Sequence, residues 1–320
     1  MALQRFHLVT GATSGLGLEA AAALVKADAG NVILAGVREN ADLQALRAVI
    51  PAAQLQLMTL DVSSLASVQQ FAAEVVSSLG TDKLASMALN AGVQIVSGDQ
   101  FSIDGFELTF ATNVLGHIAL FRSLHAHTLT NAVIVSTASG THDADHKLAK
   151  PYKFYGGFFP SPAAVAAGTV SASIDKAQLG RDRYATSKLC NILFTYAMAR
   201  EFEATGPRFI AYDPGLMPGT DLARDQPAAI RFAWKNVLPT AAKLIDGAST
   251  AKRSGAMLAR LLTGEHLADG SGLHVEFSGL EIASSRMSYD TSIQDKLIEW
   301  ADGVILANAA PQTSSPTIVN

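Results

Sequence analysis

The sequence predicts an α/β protein built on a doubly wound, mostly parallel sheet of the Rossmann type, with helices on both faces. Three observations predict it: short apolar runs alternate with stretches of helical period, the runs lack the polar alternation of a sheet wetted on one side, and a glycine-rich turn closes the first run. Strands alternating with helices pair in parallel through right-handed crossovers, and ligands then bind at the carboxyl ends of the strands.

The apolar runs are 6–10, 31–35, 55–60, 84–89, 132–137 and 209–212. Each has strand length and reads as buried on both faces. Between them, 16–26, 41–49 and 64–79 carry apolar residues at three and four; the last shows Leu65, Val68, Phe71, Ala72, Val75, Val76 and Leu79, with Ser63 or Ser64 as its N-cap. Two regions break the rhythm. Residues 141–183 form a polar, Gly/Pro-containing insert that includes Tyr155-Gly-Gly-Phe-Phe-Pro160. Residues 216–245 mix proline with Leu216, Met217, Ile230, Phe232, Trp234, Val237 and Leu238, an apolar segment beyond a strand end and so a candidate lid over a substrate. No linker divides the chain: one domain spans 1–310, and the Ser/Thr/Pro-rich tail 311–320 reads as flexible.

With 320 residues, 49% hydrophobic and 16% charged, the chain can bury a substantial core. Its net charge of −4 and the lack of a Lys/Arg run argue against nucleic acid or an anionic membrane surface, leaving a small molecule as the default partner. One cysteine, Cys190, excludes an intrachain disulfide and a Cys-cluster metal site and fits a reducing compartment. No stretch of 18 or more uncharged apolar residues is present, and the first residues lack the order of a signal peptide, so the expectation is a soluble, cytoplasmic protein with no membrane span. Whether it is a monomer or a homo-oligomer stays open.

Thr10-Gly11-Ala-Thr-Ser14-Gly15-Leu16-Gly17 gives a T-G-x-x-x-G-x-G spacing at the end of the first run. Absent side chains let the turn tighten and the backbone approach a pyrophosphate, and the helix that follows offers unpaired N–H groups and positive dipole. A glycine-rich turn with no ligand has the same spacing. The second strand ends at Arg38, where an acid would bind a ribose 2′-OH; an arginine pairs instead with a 2′-phosphate, so NADP(H) is favoured over NAD(H), unless Arg38 is simply a solvated charge. Asp61-Val62 ends the third strand and could contact adenine or cap the next helix.

Tyr184 and Lys188, in Tyr184-Ala-Thr-Ser-Lys188, stand four apart on a predicted helix and so share a face. A cation beside the phenol favours phenolate. Moving a tyrosine from about 10 towards 7 corresponds to about 4 kcal/mol, more than one exposed charge supplies, so the pair must be partly shielded from water. Tyr184 could then protonate a carbonyl oxygen as hydride reaches the carbon, or act as base in reverse. Y-x-x-x-K alone arises readily by chance; its placement makes the case.

The glycine motif, Asn90-Ala91-Gly92 after the fourth strand, Asn113 in Thr112-Asn-Val-Leu-Gly-His117, Ser139 after the fifth, Tyr184/Lys188 and Pro214-Gly215 follow one another in the order of the short-chain dehydrogenase/reductase family, which the chain resembles over about residues 5–280. Asp104-Gly-Phe-Glu-Leu108 and Ser187-Lys-Leu-Cys-Asn191 look like its retinol-dehydrogenase and protochlorophyllide-reductase branch. The resemblance implies that Tyr184 is the acid/base and that Lys188 holds the nicotinamide ribose and depresses the tyrosine pKa. It implies that Ser139 hydrogen-bonds the substrate oxygen and Asn113 keeps a water linked to Lys188. Gly11, Ser14, Gly15, Leu16 and Gly17 would take the pyrophosphate, Asn90, Ala91 and Gly92 the ribose, and the segment from Pro214 and Gly215 to Thr220 the carboxamide. Three departures stand out: Ser136, Thr137 and Ser139 all offer hydroxyls, 45 residues separate Ser139 from Tyr184, and Thr220 lies one position later than the family pattern.

His142-Asp-Ala-Asp-His146 has imidazoles four apart but falls on a predicted polar loop, so no metal is expected. Aromatic residues from Tyr152 to Phe159 could line a substrate mouth or only anchor the insert, and Cys190 could serve chemistry or simply pack. The expectation is an NADPH-preferring carbonyl reductase or alcohol dehydrogenase for a fairly apolar substrate. A non-catalytic NADP(H)-binding regulator and a protochlorophyllide-type ring double-bond reductase are the rivals.

Overall fold

Seven strands line up in one sheet in the order β3-β2-β1-β4-β5-β6-β7, every neighbouring pair parallel, in a computed structural model that describes residues 4–203, 206–219, 225, 228–232, 234, 236, 238, 245 and 247–309. The strands are β1 (Arg5–Thr10), β2 (Asn31–Val37), β3 (Leu55–Thr59), β4 (Leu84–Leu89), β5 (Thr128–Thr137), β6 (Arg208–Asp213) and β7 (Leu273–Glu276). The six predicted runs fall on the first six. β7 was not anticipated, because Leu-His-Val-Glu is four residues long and half polar, so no apolar run announces it.

The principal helices are α1 (Gly15–Ala27), α2 (Gln44–Val49), α3 (Leu65–Leu79), α4 (Gly116–Leu124), α5 (Pro162–Ala166), α6 (Lys176–Glu201), α7 (Ala228–Phe232), α8 (Ala251–Leu262) and α9 (Thr291–Ala309). Ser64 caps α3 by accepting from Ser67 N–H. One apolar layer, with Leu8, Leu34, Phe71, Phe121, Leu189 and Leu297, packs α3, α4, α6 and α9 on one face of the sheet. A second, with Val9, Ile33, Leu24, Ile210 and Leu258, packs α1 and α8 on the other. Strands buried on both faces account for the uninterrupted apolar runs of the inner strands; β3, at the sheet edge, is only partly buried and departs from the expectation.

The sheet turns back between β1, which leads to β2, and β4, which leads to β5, so a crevice opens at the carboxyl ends of β1 and β4. The insert is shorter than expected. Helix α6 starts at Lys176, where Asp175 caps it by accepting from Ala177 N–H, so residues 176–183 belong to the tyrosine helix. The helix hid there because its first two turns are polar and bond to one another: Arg181 donates to Gln178 Oε1 and Gln178 to Asp182. The remaining insert does not simply loop out. Thr186 Oγ1 accepts from Phe158 N–H at 3.1 Å and donates to Phe158 C=O at 3.2 Å, pinning the insert onto α6. The tail 311–320 lies outside the described residues, and no helix among those described is long and apolar enough to cross a membrane.

Candidate active site

A cavity of about 1450 Å³ runs along the carboxyl ends of the strands. That exceeds an ordinary small-ligand pocket and leaves room for a dinucleotide with a second molecule beside it. At one end lies the glycine turn. Gly11 (φ +67) and Gly15 (φ +55) adopt left-handed backbone, and a Cβ at Gly17 would run into the Gly11 carbonyl and the Asn90 amide. Ser14 sits at the N-cap of α1 without making a side-chain cap, and no acid occupies the first turn. Uncapped N–H groups and positive dipole therefore meet Thr13, Ser14, Gly15 and Leu16 at the cavity wall, a fit for a pyrophosphate.

Thr10 braces this turn against β4. Its hydroxyl accepts from Asn90 N–H (2.8 Å) and Ala91 N–H (2.9 Å), while Asn90 Nδ2 donates to Thr10 C=O at 2.9 Å. Gly92 and Val62 line the cavity nearby. Arg38 is exposed at the end of β2 and lines the same cavity, with Glu39 next to it in the chain outside that lining. Asp61 also lines it, and its carboxylate accepts from Ser63 N–H and Oγ; it shapes the approach to α3, whose cap is Ser64.

At the other end Tyr184 and Lys188, 5% and 4% exposed, face the cavity from α6. Lys188 Nζ lies 5.5 Å from the Tyr184 ring centroid and donates to Thr137 C=O at 2.7 Å. Asn191, one turn on, donates to that carbonyl at 2.8 Å. Of the three candidate hydroxyls, Ser139 lies near enough to the Tyr184 phenol to favour its ionised form, whereas Thr137 donates to Asn90 Oδ1 and Ser136 is buried within β5. Asn113 lies in a π-helical turn, Ala111–Leu115; its side chain accepts from Val93 N–H and donates to Val93 C=O and Ser187 Oγ. Its carbonyl accepts from His117 Nδ1, whose Nε2 meets Thr10 Oγ1 at 3.0 Å. The π-turn is thus tied to the glycine turn.

The electrostatics depart from expectation. Burial, the shielding meant to strengthen Lys188, pushes the Tyr184 phenol well above its usual range; the Asp213 carboxylate adds to this, and the Ser139 hydroxyl opposes it. Burial also pulls Lys188 down to about 8, against Asp213. Asp213, 5% exposed at the end of β6, was overlooked as more than a flank of Pro214-Gly215. An acid closing a buried strand was the signal. Gly215 has φ +74 and donates to Asp213 Oδ1.

His142 is not on a solvated loop. It is 2% exposed, donates from Nδ1 to Ser139 C=O at 2.7 Å and accepts from Ser285 N–H at Nε2, and burial holds it at about 4. Among the described residues no group of three or more His, Cys, Asp or Glu could hold a metal. Cys190 is fully buried and burial pushes its thiol up, as the packing reading requires. The insert's aromatics divide between the cavity and the core. Tyr152 and Phe154 line the cavity, Phe154 with its ring 6.0 Å from Tyr184's, while buried Phe159 anchors the insert in the core. From the candidate lid, Leu216, Met217, Ile230, Trp234 and Leu238 line the cavity and Phe232 is exposed; Asp225 accepts from Val96 and Ser97 N–H. Thr220 and Val237 lie outside the described residues.

A short chain dehydrogenase family model matches residues 5–153. Protochlorophyllide reductase of Chlamydomonas reinhardtii is 29% identical over 308 residues, covering 91% of this chain and 73% of that protein. Polyprenol dehydrogenase of Danio rerio is 30% identical over 301 residues, covering 91% and 83%. In fold, NADPH-bound carbonyl reductase from chicken fatty liver superposes with TM-score 0.58 at 20% identity, covering 88% of this chain and all of that one. A likeness that spans most of both chains, joined to a parallel sheet with a dinucleotide-shaped turn at its switch point, makes this protein a member of the short-chain dehydrogenase/reductase family and an NAD(P)-dependent oxidoreductase.

Proposed function

We propose that the protein is an NADPH-preferring oxidoreductase that interconverts a carbonyl and an alcohol on a fairly apolar small molecule, with Tyr184 as general acid/base. The observation that carries this is the meeting of Ser139, Tyr184 and Lys188 at one end of a cavity whose other end is the glycine turn. The nicotinamide supplies the hydride when bound. Tyr184 holds its proton firmly in this buried setting, which suits the reductive direction: the phenol gives its proton to the carbonyl oxygen as the carbon is reduced. Ser139, beside the phenol, orients that oxygen. Lys188, near 8, is largely cationic at pH 7 and restores positive potential beside the phenolate left behind. Asn113 ties the backbone of Val93 to Ser187 of this helix.

Arg38 at the end of β2 supports the preference for a 2′-phosphate, and the aliphatic and aromatic wall from Phe154 to Trp234 supports an apolar substrate. The test follows oxidation of NADPH and NADH across aliphatic and aromatic aldehydes and ketones, with Tyr184→Phe alongside. Expected is turnover with NADPH preferred, and a loss of about 10²–10⁴-fold in Tyr184→Phe with NADPH binding retained. Full turnover by Tyr184→Phe would remove the acid/base role. The likeness to protochlorophyllide reductase favours a second reading, ring double-bond reduction, which a pigment absorbance change under illumination would reveal.

A further inference from the structure

Two cations that the proposed chemistry does not use, Arg181 and Lys153, line the cavity that holds Tyr184. Arg181 stands three residues before Tyr184 on α6, on the side away from Lys188, so about one helical turn separates it from the reacting centre. Lys153, from the insert, lines the same wall. A single side chain holds the two together: Gln178 Nε2 donates to Lys153 C=O at 3.1 Å, and Gln178 Oε1 accepts from Arg181 Nε and Nη2 at 3.1 and 2.9 Å.

Neither cation has a close counter-ion: Lys153 is exposed without a carboxylate partner, and Arg181 has only a long contact to Asp175. A guanidinium has five N–H donors, and Arg181 commits two of them to a neutral amide oxygen. Its nearest carboxylate, Asp175, is 3.9 Å away and itself 64% exposed, whereas the Arg181 side chain is only 14% exposed. Among the described residues no carboxylate pairs with Lys153; the insert's other lysine contact, Lys150 with Asp145, shows that acids were at hand. Lys153 also adopts left-handed backbone, φ 61 and ψ 35, which a residue with a Cβ holds at some energetic expense and which keeps this residue at the cavity wall. Among the described residues no acid that lines the cavity pairs with either cation: Asp213, whose charge acts on Tyr184 and Lys188, and Glu276 stand at the strand ends, and Asp42 and Asp61 lie beyond the glycine turn.

We infer that the substrate carries an organic anion, a carboxylate, at the end of its apolar body, and that Arg181 and Lys153 bind it. Arg181 presents its remaining N–H groups to the carboxylate, Lys153 adds a point charge, and the body lies against Leu148, Tyr152, Phe154 and Trp234. This rests on the assignment of Tyr184 to the reacting carbonyl. A largely buried guanidinium whose nearest carboxylate stands 3.9 Å away and is itself mostly exposed is poorly compensated, and an anionic substrate improves that on binding, so the charge discriminates against neutral analogues.

The test compares ω-oxo carboxylic acids of about six to twelve carbons with their methyl esters, lengths set to span the one-turn offset along α6. Binding to the full chain with NADP⁺ present is read by calorimetry, and turnover with NADPH by absorbance. Expected is an acid-over-ester affinity ratio of at least about tenfold at one optimal length, corresponding to about 1.4 kcal/mol. The ratio falls towards one in Arg181→Met with Lys153→Asn, the first keeping bulk and the second tolerating left-handed backbone. Because the readout is a ratio within each variant, a general loss of stability does not mimic it. Equal affinity for acid and ester at every length, or a preference that survives the double variant, overturns the inference. Preferential, Arg181-dependent acid binding without Tyr184-dependent turnover would uphold it and remove the proposed reaction instead.

Discussion

Tyr184 is pulled two ways. Burial makes the Lys188 charge effective and excludes water, yet it also disfavours phenolate, and the Asp213 carboxylate deepens that effect. Asp213 acts through the field rather than by touching the phenol, so Asp213→Asn should relieve it while keeping an oxygen for Gly215 N–H. The expected result is that the rise of alcohol oxidation with pH moves to lower pH, since phenolate forms more readily; an unchanged pH profile would show that the charge is not sensed at the phenol. At this scale the sequence was informative where spacing encodes geometry: four residues on a helix put Tyr184 and Lys188 on one face. It was silent where the long range decides. His142 looked like a loop histidine because nothing in its neighbours forecasts Ser285, 143 positions on, donating to its ring. The sign of the Tyr184 shift was missed for the same reason, because the extent of burial and the approach of Asp213 belong to the fold.

Among the elements, strands buried on both faces were legible because their composition reports burial directly, and α3 because its apolar stripe and Ser64 cap agree. β7 and the first turns of α6 were not, being polar segments stabilised by partners. The insert is the element with most consequence, since it supplies Leu148, Tyr152, Lys153 and Phe154 to the cavity. Its attachment depends heavily on one hydroxyl. Thr186→Val keeps the shape of the side chain but removes both bonds to the Phe158 backbone, at about 0.5–1.5 kcal/mol for each. The glycine turn lies at the far end of the cavity. The variant should therefore raise KM for the carbonyl substrate several-fold and speed proteolysis within 143–175, with the NADPH dissociation constant little changed. Equal weakening of both ligands would mean that the insert supports the whole site.

Across the molecule, four histidines are buried as neutral groups in separate parts of the fold. His7 bonds Ser86 and Asn31 between β1 and its neighbours, His117 joins the π-turn to Thr10, His142 joins the insert to Ser285, and His274 lies in β7 against the His142 ring. Burial lowers each from 6.5 to about 4. Between those values the unfolded chain binds protons that the folded chain does not, so stability rises with pH there and is lost on acidification from 6.5 towards 4. Each such group removes about 1 kcal/mol between pH 7 and 5.5, and four together remove a sizeable part of an ordinary domain stability of about 5–15 kcal/mol. Glu107, whose carboxyl burial pushes up, works in the opposite direction and offsets part of the loss. The midpoint of urea unfolding should therefore fall steeply between pH 7 and 5. It should fall less in His7→Asn, which removes one titrating ring from the strand interface and takes part of the slope with it. A midpoint flat across that range would mean that these rings are protonated in the folded protein, and that the hydrogen bonds joining β1, the π-turn and the insert to the sheet are not the ones described.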